Sequence, residues 1–374
     1  MQTWLKDEIV RRQNFGNLRQ LTTTEHLIDF ASNDYLGLTQ HPHFADSVVQ
    51  EWRESGKTQL RFGSTGSRLL TGNSAYAQNL ESQIARFHGY EAGLLCGCGY
   101  MANLGLLSAI AQETDAILFD RNIHASMHDG IRLSRAKSMP FRHNDLDQLE
   151  NRLKNCTARG RRFICIESIY STDGSKADLI GISHLAKRYA AHLIVDEAHA
   201  VGICGPDGRG LAAAENLTSD VFAQITTFGK ALGTYGAIIL GSELLKQFLL
   251  NCAKPCIYTT ALPFTALAAI KCSYALFPDL EAERIHLNSL IKLFTHPLST
   301  SDTPIQSIKI RGNHNARAAA NKLQAKGFNV RALLSPTVRK GDELLRICLH
   351  AFNSEKETFQ LLEYLDDHHH RFRP

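Results

Sequence analysis

Lys230 sits in a setting where its amine can do chemistry. The surrounding run, Thr226-Thr227-Phe228-Gly229-Lys230-Ala231-Leu232-Gly233, is a glycine-flanked turn after a short apolar stretch. Upstream, Leu193-Ile194-Val195 ends in Asp196-Glu197-Ala198-His199. A lysine in a small-residue turn can form a Schiff base with a carbonyl, and a carboxylate can keep a pyridine nitrogen protonated so that the ring draws electrons. Those two requirements are the ones pyridoxal 5'-phosphate makes of a protein. A carboxylate at the C-terminal end of a strand also lies where open α/β sheets bind ligands. Its negative charge would raise the pKa of a ring nitrogen paired to it. Taken alone, Asp196 could equally be a strand-end residue capping the next turn. His199 follows at a spacing that places it on the same side as Asp196, within reach of a phenolic oxygen on the ring. His124, in Asp120-Arg121-Asn122-Ile123-His124-Ala125-Ser126, follows an apolar run and could pack flat against a pyridine ring.

Two other motifs compete with this reading. Asp196-Glu197-Ala198-His199 spells the box of a nucleic-acid helicase, but the chain carries no phosphate loop of the form G-x-x-x-x-G-K-[ST] to accompany it. Cys96-Gly97-Cys98-Gly99-Tyr100-Met101-Ala102-Asn103 matches a dinucleotide fingerprint, with Asp120 near the place of a ribose-binding acid. That match supports an NAD-dependent dehydrogenase as the alternative from a different class. The physics beneath the fingerprint is more general: a glycine turn that opens a helix exposes backbone N–H groups to any phosphate. A second glycine and hydroxyl loop, Phe62-Gly63-Ser64-Thr65-Gly66-Ser67-Arg68-Leu69-Leu70-Thr71-Gly72-Asn73, would suit backbone folded close to a ligand.

The elements that must position these residues are legible as short, continuous apolar runs at 92–96, 116–119, 162–167, 192–195 and 237–240. Such runs predict strands covered on both faces. Helical periodicity at 79–87 and 179–190 lies between them, and the alternation predicts a mostly parallel sheet in an α/β layer. After Pro263 the pattern changes to helices at 266–277 and 282–294, a strand at 305–310, a helix at 315–326, strands at 328–333 and 343–349, and a final helix at 354–364. Ser354 and Glu357 would form a capping box at the start of that last helix. The expected division is an N-terminal arm over 1–40, helical at 4–12 and strand-like at 27–30, a large α/β domain over 41–263, and a small α+β domain over 264–374.

Composition excludes several function classes. Apolar residues make up 44% and charged residues 21% of 374 residues, and the formal charge is +4. These values are ordinary for a globular protein and imply neither nucleic acid nor an acidic membrane as partner. The N-terminus is charged and lacks the apolar core of a signal peptide. No run approaches the ~18 apolar residues of a spanning helix, so the cytoplasm is the expected location. Nine scattered cysteines read as reduced thiols rather than a disulfide framework or a zinc pattern. No metal site is expected, and His368-His369-His370 reads as a solvated tail.

Assembled in order, these stretches resemble the α-oxoamine synthases, pyridoxal phosphate enzymes of the aspartate-aminotransferase fold type (fold type I). The resemblance rests on Ser32-Asn33-Asp34-Tyr35-Leu36-Gly37-Leu38, the 63–73 loop, residues 122–126, His143-Asn144-Asp145, Tyr170-Ser171-Thr172-Asp173-Gly174, residues 195–210 and 227–233, and Tyr258-Thr259-Thr260-Ala261-Leu262-Pro263. The resemblance implies that Lys230 carries the cofactor, Asp196 pairs with its ring nitrogen, His199 and Ser171 approach its phenolic oxygen, and His124 stacks on it. Gly99, Tyr100 and Thr227 would surround the cofactor and its phosphate, and Thr259 or Thr260 would reach a phosphate across a homodimer interface. Arg346 would hold an amino-acid carboxylate by a bidentate pair, with Asn33 nearby, and Arg11 or Arg12 would contact the acyl chain. The implied reaction joins L-alanine to a pimeloyl thioester, on coenzyme A or acyl carrier protein, with loss of carbon dioxide, in biotin synthesis. Glycine-using, aminolevulinate-forming and serine-using branches of the family are the alternatives, as is a silent binding protein on the same fold. Three places depart from the family pattern: Cys98 stands for a serine, Thr172 for a methionine, and Ser175-Lys176-Ala177-Asp178 for a run ending in Ala-Pro.

Overall fold

Seven strands form the central sheet in the computed structural model, which describes residues 2–55, 62–295 and 299–372, with side chains to residue 366. They are β1 (Ala92–Cys96), β2 (Ala116–Asp120), β3 (Lys137–Phe141), β4 (Arg162–Glu167), β5 (Ala191–Asp196), β6 (Val221–Thr227) and β7 (Ala237–Gly241). Their spatial order is β1-β7-β6-β5-β4-β2-β3. The run from β6 to β3 is parallel, and β7 is antiparallel to both β6 and β1. Every residue of β1, β2 and β7 is buried, as continuous apolar runs demand of strands covered on both sides.

The five expected strands all form, within a residue at each end. The strand over Lys137–Phe141 was not legible, because it lies at the sheet edge with Lys137, Ser138 and Pro140 exposed and so lacks an apolar run. β6 read only as a short apolar stretch because Gln224 interrupts it. That glutamine is 2% exposed and is satisfied by a tertiary partner, accepting from the Tyr90 hydroxyl at 3.0 Å.

The order of the strands overturns the dinucleotide reading. β1 and β2 are not neighbours and lie toward opposite edges of the sheet, so they form no βαβ unit, which the fingerprint requires. Asp120 is also committed elsewhere: His143 Nδ1 sits 3.1 Å from its carboxylate, and the N–H groups of Asn122 and Asn144 donate to it.

Helices between the strands are fixed by local capping. Asp145 accepts from the Gln148 N–H at 2.7 Å, Asp178 from Gly181 at 2.8 Å and Ser242 from Leu245 at 3.1 Å, each satisfying an N–H that the helix itself leaves unpaired. Helix Gly99–Ile110 packs on helix Ala125–Leu133 at a glycine contact: a Cβ on Gly130 would stand 2.9 Å from Leu107 Cβ and 3.0 Å from the Asn103 carbonyl.

The chain divides into two units, one of Leu36–Tyr170 and Lys176–Glu281, the other of Met1–Tyr35, Ser171–Ser175 and Ala282–Pro374. The boundary therefore falls after Glu281 rather than at 263. Helix Phe264–Leu276 buries Phe264, Leu267, Ala268 and Ile270, and its first ring meets Tyr76 edge-on at 4.9 Å, which ties it to the sheet-bearing unit. In the other unit, strands β8 (Ile305–Lys309), β9 (Arg331–Leu333) and β10 (Leu344–Cys348) form an antiparallel sheet ordered β9-β10-β8. The N-terminal segment joins it: Ile28–Asp29 pairs in parallel with Phe328–Asn329, so the strand-like part of the expected arm is a component of this unit. The last helix, Glu355–Phe372, begins with the capping box, Glu357 N–H donating to Ser354 Oγ at 3.2 Å and Ser354 N–H to Glu357 Oε2 at 2.8 Å. It runs through His368-His369-His370, whose side chains lie outside the described residues.

Candidate active site

The larger unit gathers Lys230, Asp196, His199 and His124 from the ends of β5 and β6 and the start of a helix. β5 ends at Asp196 and β6 at Thr227, and the two lie side by side in parallel. Their C-terminal ends therefore open to the same edge of the sheet. The turn after β6 is closed by backbone bonds, Phe228 N–H to Gly236 at 2.9 Å, Thr234 N–H to Phe228 at 2.8 Å and Gly233 N–H to Lys230 at 2.8 Å. Gly233 is required there: its φ is +61°, and a Cβ would meet Leu38 Cβ at 3.0 Å. The turn holds the Lys230 amine 2.7 Å from His199 Nε2.

Asp196 is 5% exposed. Its Oδ1 accepts the Ala198 N–H at 2.9 Å, and its Oδ2 accepts Asn103 Nδ2 at 2.7 Å. Both donors are neutral. Among the described residues the buried carboxylate is held by these neutral donors, and a protonated ring nitrogen would add a countercharge. His124 caps helix Ala125–Leu133, and its Nδ1 lies 2.7 Å from Ser126 Oγ. Packing around the ring lowers its pKa, the Asp196 charge raises it, and the Lys230 charge lowers it again. Amine and carboxylate thus both act on the same imidazole.

A helix N-terminus at Gly99 lies among the expected phosphate residues. Helix Gly99–Ile110 starts after Cys98, whose side chain makes no capping bond, so the first N–H groups are available to an anion. Gly99 is the residue that permits Thr227 to approach, since a Cβ there would stand 3.3 Å from Thr227 Cβ. Thr227 Oγ1 donates to the Gly236 carbonyl at 3.3 Å. The Tyr100 hydroxyl donates to Asp129, and its ring meets His124 edge-on with centroids 6.2 Å apart. Thr259 and Thr260 line a crevice with Arg68, Cys96 and Gly97, and Ser67 pairs with Thr260 in an isolated bridge. An amine, a buried anion, an imidazole and a bare helix terminus make a donor set that suits an aromatic aldehyde phosphate.

The smaller unit assembles a second group. Arg346, on β10, donates through Nη2 to Asn33 Oδ1 at 2.9 Å and through Nε to the Ser171 carbonyl at 2.7 Å. Three expected residues from distant parts of the chain therefore meet there. Arg11 and Arg12 are not drawn to them. Both pair with Glu8 on the exposed face of helix Thr3–Asn14, at 2.7 and 2.9 Å. The nine cysteines are thiols. Among the described residues, no group of three or more His, Cys, Asp or Glu could hold a metal, and no helix is long and apolar enough to cross a membrane.

Two residues escaped the sequence reading, Asn103 and Ser126. Asn103 Nδ2 donates to Asp196 Oδ2 and to Ser126 Oγ, the latter at 3.0 Å, linking the carboxylate to His124. Both lie inside motifs quoted above, but an asparagine within an apolar helix gives no sign in sequence of which strand end it will face.

The chain is 38% identical to 8-amino-7-oxononanoate synthase of Emericella nidulans over 96% of this chain and 93% of that one. A solved 8-amino-7-oxononanoate synthase from Francisella tularensis matches at 29% identity and a TM-score of 0.78, over 92% of this chain and 98% of its own. A serine palmitoyltransferase from Sphingomonas wittichii matches at 25% identity and a TM-score of 0.88, over 100% and 98%. The family profile for aminotransferase class I and II covers residues 25–365. With a lysine-bearing turn beside a buried aspartate on a fold type I sheet, and a family profile spanning nearly its whole length, the chain belongs to the aminotransferase class I and II family.

Proposed function

We propose that the protein is an 8-amino-7-oxononanoate synthase, joining L-alanine to a pimeloyl thioester with release of carbon dioxide and the free thiol. The observation that carries this reading is the Lys230 amine at 2.7 Å from His199 Nε2, on the sheet edge where Asp196 ends its strand. The 38% identity to a named synthase across nearly the full chain supports the choice of reaction.

Pyridoxal 5'-phosphate, when bound, supplies a carbonyl that condenses with amines and a pyridinium ring that accepts an electron pair from the amino acid's Cα. In this chain Lys230 would anchor it, Asp196 would hold the proton on its ring nitrogen, and His124 would pack against its ring. Gly99, Tyr100 and Thr227 would receive its phosphate, with Thr259 or Thr260 contributed across a homodimer. His199 would sit at the phenolic oxygen. Arg346 would hold the alanine carboxylate by a bidentate pair, assisted by Asn33. The Lys230 amine would serve as the base, removing the Cα proton at Nζ and later returning one. Between those transfers Cα bonds to the thioester carbonyl carbon, the carbon–sulfur bond breaks, and the carboxylate leaves as carbon dioxide. Arg11 or Arg12, on their exposed helix, would meet the acyl chain. The acyl carrier is coenzyme A or acyl carrier protein, and the reaction takes place in the cytoplasm.

Lys230→Ala tests the reading. The variant should lose borohydride-reducible cofactor attachment and carbon dioxide release together. Retained turnover would refute the assignment of Lys230. Product analysis with alanine, glycine and serine as competing donors tests the substrate, and preferential consumption of glycine or serine would move the protein to another branch.

A further inference from the structure

We propose that Asn103 and Ser126 are positioning residues that hold His124 as a neutral imidazole with its proton on Nε2, and so leave the charge of Asp196 unshared for the cofactor's ring nitrogen. The second clause rests on the function proposed above; the first stands on the geometry of the chain alone.

An ionised carboxylate only accepts, so the amide of Asn103 must turn its NH2 group, not its oxygen, toward Asp196 Oδ2 at 2.7 Å. The same nitrogen lies 3.0 Å from Ser126 Oγ. Its two hydrogens thus go to two acceptors, and Asn103 Oδ1 is left buried without a partner. Because Ser126 Oγ accepts from Asn103, its own hydroxyl hydrogen points elsewhere. His124 Nδ1 stands 2.7 Å away, and the Ser126 backbone N–H is directed at the same nitrogen from 3.3 Å. An Nδ1 that accepts twice carries no proton, so the ring proton is on Nε2. Asn103 and Ser126 are 2% and 0% exposed, so water does not compete for these bonds.

The direction of donation therefore runs outward from Asn103, to Asp196 on one side and through Ser126 to His124 on the other. The reverse orientation would turn the Asn103 oxygen on the carboxylate, acceptor against acceptor. The unpartnered Oδ1 is the cost of this orientation. The charged and titratable groups acting on the imidazole are Asp196, Lys230 and His128, with the Tyr100 ring at its edge. Burial and the Lys230 charge favour the neutral ring and Asp196 opposes them; the Ser126 hydroxyl adds a donor that only the neutral ring can accept.

Long-range 1H–15N spectra of histidine-labelled protein without cofactor read the tautomer directly. His124 should show the Nε2–H pattern at neutral pH. Ser126→Ala should lower the Nε2–H fraction and raise the titration midpoint by about one pH unit, the equivalent of one neutral hydrogen bond, and Ser126→Thr should restore both. A wild-type His124 protonated on Nδ1 would overturn the proposal, as would a Ser126→Ala spectrum unchanged from the parent. The spectra need no cofactor, so their outcome is separate from that of the Lys230→Ala test.

Discussion

Asp196→Asn is the perturbation that most directly weighs the electrostatic design of this site. The side chain keeps its shape and loses its charge. Asp196 now accepts from two donors, the Ala198 N–H at 2.9 Å and Asn103 Nδ2 at 2.7 Å, whereas an amide offers one acceptor and must face one donor with its own NH2. The Asn103 amide can relieve the conflict by rotating its unpartnered oxygen toward the new NH2. That rotation takes a donor from Ser126, so the polarity of the link to His124 reverses. The fold should survive, because the variant removes a charge from a buried site that has only neutral donors. Catalysis should not. An opposite charge in contact raises a ring nitrogen's pKa by roughly 1–3 units, each unit worth about 1.4 kcal/mol. The loss should therefore be roughly 10- to 1,000-fold in turnover. The assay is carbon dioxide release from L-alanine and pimeloyl thioester, alongside the pH dependence of the bound cofactor's absorbance. Turnover within about twofold of the parent, with an unshifted absorbance profile, would refute the reasoning.

Two further outcomes follow from the packing. His88 is 3% exposed, bonded to the Arg209 carbonyl and the Tyr274 hydroxyl, and burial lowers its pKa from 6.5 to about 4. Above pH 6.5 it is neutral folded and unfolded; as pH falls from 6.5 toward 4 only the unfolded chain gains the proton, so roughly 3 kcal/mol of stability should be lost across that window. Urea midpoints should show the slope, His88→Gln should flatten it, and an equal slope in that variant would remove His88 as its source. Gly174 has a φ of +76°, and a Cβ there would stand 2.2 Å from the Ile305 carbonyl oxygen. Gly174→Ala should cost roughly 2–4 kcal/mol in a urea titration, and an unmoved midpoint would contradict the packing of this turn.

The chemistry was legible wherever residue type and spacing act over a few positions. Lys230 stood out because glycine-flanked turns are uncommon settings for a lysine, and Asp196 because it ended an apolar run. β3 was not legible, since an edge strand buries too little to need an apolar run. Asp120 misled for a related reason. Its distance in sequence from Gly97 fits a ribose-binding acid, but the strand order places β1 and β2 apart and gives the carboxylate to His143. Arg11 and Arg12 were assigned by resemblance alone; the i+3 and i+4 spacing of their exposed helix lets both also pair with Glu8.

Residue order alone was enough for five of the seven strands of the large sheet, the capping box at Ser354, and the set of groups that would bind an aldehyde phosphate. These follow from hydrophobic period and turn chemistry, which are local. The packing of distant elements was needed for Asn103 to face Asp196 and for Arg346 to meet Asn33 and Ser171. Those pairings join residues far apart along the chain, and a buried polar group's partner is set by which elements pack together, not by its neighbours in sequence.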